Sequence, residues 1–108
     1  MKCFIDTANL DQIKEANDLG ILDGVTTNPS LMAKEGIKGN DAVTNHYKTI
    51  CEMVDGDISA EVVTTEFKTM VEEGKKLAAI HKNIVVKVPM IPDGVKAIKW
   101  LTDKGIRS

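Results

Sequence analysis

The chain has 108 residues, 43% hydrophobic and 28% charged, the profile of a globular domain rather than of a disordered, fibrous or membrane protein. A formal net charge of -2, with both signs interspersed, argues against the basic footprint that nucleic acid or an anionic membrane requires. No apolar run approaches the ~20 residues of a membrane span, and Asp6 arrives before a signal peptide could form, so a cytoplasmic protein acting on a small metabolite or binding a protein partner is expected.

In chain order, Cys3-Phe4-Ile5 is a short apolar run that predicts a first strand. A helix follows, with Leu10, Ile13, Ala16 and Leu19 on one face, Asn9 as cap with Gln12 three positions on, and Gly20 at the stop. Gly24-Val25 predicts the second strand. The next helical region divides into a short turn over Ser30 to Lys34 and a helix from about Asp41 to Val54, broken at Gly36, Gly39 and Asn40. Ile58-Ser59-Ala60 with Val62-Val63 predicts a third strand, and a third helix runs from Thr65 or Glu66 to Ala79. Ile84-Val85-Val86-Lys87-Val88 predicts a fourth, followed by a helix after Pro92 that stops at Gly105.

The strands are β-branched and nearly continuous, which is the pattern of strands buried on both faces by helices, and so of a parallel sheet in an α/β fold. Four strand-helix units then stop at Gly105-Ile106-Arg107-Ser108, where a fifth strand is expected to begin. Cys3 and Cys51 lack CxxC spacing and read as buried free thiols. His46 and His81 have no metal-ligand spacing and read as surface histidines; no metal site is expected. Tyr47 and Trp100 read as packing residues.

The chemistry lies in the polar residues that interrupt or end these runs: Asp6, then Thr26-Thr27-Asn28, Glu61 and Lys87. In parallel α/β folds ligands bind at the carboxyl ends of strands, so four such deliveries suggest one shared site. Lys87 sits among Val85, Val86, Val88 and Pro89; burial there would disfavour its charged form and expose the amine lone pair to carbonyls. The alternative is a strand-end lysine whose head snorkels to water. Asp6 and Glu61 are candidates for proton transfer, against capping or ion pairing. Thr26 and Asn28 offer hydrogen bonds to a polyol, or form only a strand-to-helix turn ahead of Pro29.

Two segments carry a resemblance. Asp23-Gly24-Val25-Thr26-Thr27-Asn28-Pro29-Ser30-Leu31 resembles the N-terminal transaldolase signature, and Ile84-Val85-Val86-Lys87-Val88-Pro89 with Gly94 resembles the signature around that family's Schiff-base lysine. Phe4 to Asn9 and Ser59 to Val62 look like its first and third strands, so residues 1–108 are similar to the N-terminal half of a short bacterial or archaeal transaldolase, a relative of fructose-6-phosphate aldolase. The resemblance implies the first four βα units of a TIM (β/α)8 barrel, with helices outside. It implies cofactor-free transfer of a dihydroxyacetone unit from sedoheptulose 7-phosphate to glyceraldehyde 3-phosphate in the pentose phosphate pathway, yielding erythrose 4-phosphate and fructose 6-phosphate. Lys87 would form the imine, Asp6 would serve as acid and base at the cleaved bond, Glu61 would handle the water, and Thr26 and Asn28 would hold the dihydroxyacetone part. Glu61 favours transaldolase, because fructose-6-phosphate aldolase has a glutamine at the corresponding place. Ile91 departs from the usual Ser or Thr and removes a cap for the following helix.

Four units cannot close an eight-stranded barrel, leaving sheet edges that need a partner. Three expectations follow: a half-length transaldolase with impaired activity that awaits a complementary C-terminal half, an active homo-oligomer built from two half-barrels, or a non-catalytic assembly module. None invokes nucleic acid or a membrane.

Overall fold

A computed structural model describes residues 2–108. Nine elements follow the anticipated order. They are β1 (Phe4–Asp6), α1 (Leu10–Asp18), β2 (Gly24–Thr27), α2 (Pro29–Lys34), α3 (Asn40–Met53), β3 (Asp57–Glu61), α4 (Phe67–Ala78), β4 (Ile84–Lys87) and α5 (Pro92–Asp103). Asn9 caps α1 as its spacing predicts, its Oδ1 accepting from the Gln12 N–H at 2.9 Å. Gly20 and Gly105 follow the ends of α1 and α5 at φ of 76° and 75°, a left-handed geometry that costs glycine little.

The four strands form one parallel sheet in the order β1-β2-β3-β4, the first half of the expected barrel topology. Val25, Thr27, Ile58, Ala60, Ile84 and Val86 are buried, and the helices add Ile13, Ile50, Met70 and Leu101 to the same core. Between these positions the strands carry exposed or half-buried residues: Phe4, Asp6, Thr26, Ser59, Glu61, Val85 and Lys87. The expectation of strands buried on both faces is therefore corrected. Alternate side chains point to opposite faces, and the helices of this chain cover only one of them.

Strand limits differ from expectation for the same reason. β3 ends on Glu61 and β4 on Lys87, so neither residue interrupts its strand. Val62 leaves the strand, although its N–H still bonds the Lys87 carbonyl at 3.0 Å. Beyond α5, the Arg107 carbonyl accepts from the Val86 N–H at 3.0 Å, so the chain runs alongside the outer edge of β4. Arg107 also pairs with Asp57 at 2.7 Å.

The β4-α5 connection is tight. A Cβ on Gly94 would collide with the Pro89 carbonyl, so only glycine lets α5 start this close to the end of β4. Ile91 occupies the N-cap of α5 and supplies no side-chain hydrogen bond. Glu66 likewise leaves α4 without a side-chain cap of its own, and Asp93 of α5 accepts from the Phe67 N–H instead, at 3.1 Å. The two helices are thus joined at their amino ends by a carboxylate that satisfies an otherwise orphaned donor.

Two substitutions test this junction by urea unfolding. Ile91→Ser installs the missing cap and is expected to raise stability by about 1 kcal/mol. Gly94→Ala is expected to lower it by roughly 1–3 kcal/mol, the cost of overpacking a site that cannot yield.

Candidate active site

The sheet register sets the geometry. Asp6, Thr26, Ser59 and Val85 form one row across the uncovered face, and Glu61 and Lys87 are direct partners one level nearer the carboxyl ends. Asn28 lies just past β2 at the Glu61 level. The candidate residues therefore share one end of one face but fall into two groups, Asp6 with Thr26 and Glu61 with Lys87, with β1 and β4 at opposite edges of the sheet.

Each has a defined local role. The Thr26 hydroxyl donates to Asp6 Oδ1 at 2.9 Å, and α1 is capped by Asn9, so Asp6 is not a helix cap. Asn28 does cap a helix: its Oδ1 accepts from the Leu31 N–H at 2.9 Å. That bond orients the Asn28 amide and leaves its NH2 group available to donate. Glu61 is half-buried. Lys87 is exposed, which decides for the strand-end lysine that reaches water over the desolvated amine: among the described residues nothing covers its face of β4. Among the described residues the ion pairs do not join Glu61 to Lys87, although their backbones are adjacent.

A cleft of about 360 Å³ opens beside these strand ends, lined by Asn28, Ser30, Glu61, Thr64, Thr65 and Pro89 among others. Its hydroxyls and amide suit a polyol. A larger depression of about 530 Å³ lies near Asp57, Val85 and Arg107, at the opposite end of the sheet, and includes none of the candidate residues. Among the described residues no group of three or more His, Cys, Asp or Glu could hold a metal, and no helix is long and apolar enough to cross a membrane.

Support comes from behind the sheet, and sequence reasoning missed much of it. His46 is buried rather than at the surface: its Nε2–H donates to the Ala8 carbonyl at 2.6 Å, tying α3 to the loop after Asp6. The signal was present, because Val43, His46, Tyr47, Ile50, Cys51 and Val54 share one helical stripe. His81 is half-buried and accepts from the Asn83 N–H at 3.0 Å. Cys51 is buried and Cys3 half-buried, both as free thiols. Tyr47 is fully buried, and its hydroxyl makes no hydrogen bond among the described residues. Burial pushes that phenol up to about 12; the Glu61 backbone N–H, near it but outside hydrogen-bond geometry, partly opposes the shift, and the Glu61 and Glu73 charges add to it.

Comparison with known proteins gives the family. The family described as transaldolase/fructose-6-phosphate aldolase matches residues 3–108. The chain belongs to that family. It is 67% identical over its whole length to a protein named probable transaldolase from Porphyromonas gingivalis, of which it covers 49%. It is also 67% identical to proteins of the same name from Cytophaga hutchinsonii and Parabacteroides distasonis, covering 50% of each. The chain thus spans about half the length of the curated relatives it matches.

The buried stripe on α3 has a pH consequence. Burial, with a smaller contribution from Glu52, also pushes the Cys51 thiol up to about 11 from its ordinary 9.0, as Tyr47 rises from 10.0 to about 12. The unfolded chain releases these protons at lower pH than the folded one. Their effect on stability is therefore absent below about pH 9 and becomes a progressive loss through about pH 12. Tyr47→Phe is expected to lessen the loss between neutral pH and about pH 10.5, measured as the shift of the urea midpoint.

Proposed function

We propose that the chain carries the imine-forming machinery of a transaldolase, transferring a dihydroxyacetone unit between sugar phosphates in the pentose phosphate pathway. The single observation that carries this is the register partnership of Glu61 with Lys87 on the face that also holds the hydrogen-bonded Asp6–Thr26 pair. An amine and a carboxylate side by side at strand ends can add to a ketone and then move the protons that expel its oxygen as water.

The Lys87 amine attacks the ketose carbonyl to give a carbinolamine. Glu61 shuttles the proton with which the carbinolamine hydroxyl leaves as water, and a protonated imine forms. Asp6 takes the proton from the hydroxyl at the bond to be cleaved, and the electron pair of that carbon–carbon bond moves into the imine. The cleaved part leaves as an aldose aldehyde. The resulting enamine attacks the acceptor aldehyde, and Asp6 returns its proton to the new alkoxide. A water activated by Glu61 then hydrolyses the new imine to release the product ketose and free Lys87. The Thr26 hydroxyl orients Asp6, while the Asn28 amide, fixed by its cap to Leu31, donates to the dihydroxyacetone hydroxyls. Glu61 supports transaldolase over the aldolase that resembles it.

Efficient turnover needs a cover over the sheet face, supplied by a second copy or a complementary C-terminal half, because water over the open face weakens every charge interaction at the site. Sugar phosphates are the proposed substrates and cytoplasm the proposed compartment.

Borohydride reduction in the presence of dihydroxyacetone or fructose 6-phosphate tests the assignment. Peptide mass mapping is expected to find the reduced adduct on Lys87 and none in Lys87→Met. Equal labelling of Lys87→Met, or none in the unaltered chain, overturns it. Release of free dihydroxyacetone from fructose 6-phosphate without an acceptor would point to the aldolase instead.

A further inference from the structure

We propose that Glu73 is a positioning residue: its carboxylate on α4 holds the turn after β3 and so fixes Glu61 and the Thr64 and Thr65 hydroxyls at the cleft. The inference rests on the role proposed above for Glu61.

The parallel ladder ends at Val62, whose N–H reaches the Lys87 carbonyl at 3.0 Å. The next two backbone donors have no strand to bond. Both go to Glu73. The Val63 N–H donates to Oε1 at 2.8 Å and to Oε2 at 3.3 Å, and the Thr64 N–H and hydroxyl both donate to Oε1 at 3.4 Å. One carboxylate thus collects three donors, and charge-assisted bonds of this kind are the stronger class.

The Val63 side chain does not secure the turn. The residue is 63% exposed, so apolar packing does not hold it. Val62, Val63, Thr64 and Thr65 nevertheless line the cleft together with Glu61. Glu73 has its negative charge met by N–H donors, whereas Glu61 stands at the open face. The pair is therefore divided between holding the backbone and handling protons.

Amide hydrogen exchange and imine trapping on this chain test the assignment together. Glu73→Ala is expected to speed exchange at Val63 and Thr64 by about tenfold or more, the equivalent of losing a charged hydrogen bond, while Ile58, Ala60 and Val86 keep their protection. Glu73→Gln, whose amide oxygen still accepts, is expected to speed it only a few-fold. Trapping of dihydroxyacetone on Lys87 should slow about tenfold at saturation in Glu73→Ala, with the half-saturating concentration unchanged, and recover in Glu73→Gln.

Unchanged exchange at Val63 and Thr64 in Glu73→Ala overturns the clamp. Faster exchange with an unaltered trapping rate overturns its positioning role and leaves a loop staple. Should Glu73→Ala lose protection throughout the sheet, Glu73→Gln decides alone: a local rise at Val63 supports the clamp and none overturns it. Absence of any adduct in the unaltered chain refutes the proposed function, and with it the positioning role, while the exchange comparison still decides the clamp.

Discussion

Everything in this molecule depends on a two-residue period imposed on four parallel strands whose helices cover one face. Each strand sends alternate side chains into the core and onto the opposite side. Val25, Ile58, Ala60 and Val86 fill the first set, and Asp6, Thr26, Ser59, Glu61 and Lys87 fill the second. A slip of one residue in any strand would exchange the two sets, burying a carboxylate or an ammonium against Ile50 and Met70. The apolar core therefore enforces the register that places Glu61 beside Lys87.

The ends of the strands are held by polar groups reaching from the helices rather than by the ladder. Asn28 orders its own helix start, Asp93 of α5 satisfies the first N–H of α4, Glu73 gathers the donors of the turn after β3, and His46 ties α3 to the loop after β1. Gly94 lets α5 pack against the Pro89 carbonyl. These contacts lie at the carboxyl-terminal end of the sheet, where a site must be rigid and no further rungs exist to make it so.

The strand order, the helices and the candidate residues were legible because they rest on local rules. Asn9 with Gln12, Pro29, Pro92 and the terminal glycines mark helix limits wherever the chain lies, and those limits fell within one or two residues of expectation. Less legible were the partners at a distance. Glu73 and Asp93 look like ordinary surface carboxylates on amphipathic helices, because the backbone donors they satisfy lie ten and twenty-six residues away. His46 stood on an apolar stripe, yet a polar residue in that position signals burial only when its acceptor, here the Ala8 carbonyl, is known.

By itself, the sequence determined the α/β class, the alternation of elements, the kinship carried by the segments around Asn28 and Lys87, and which polar residues end the strands. These are matters of short-range sterics, periodicity and motif. Only the tertiary structure decided which side of each strand is covered. The continuous apolar runs predicted burial on both faces, but burial requires atoms from elsewhere in the chain, and the helices here supply them to one face alone. That is why Lys87, for which the sequence left both a buried amine and a strand-end head reaching water open, stands exposed beside Glu61.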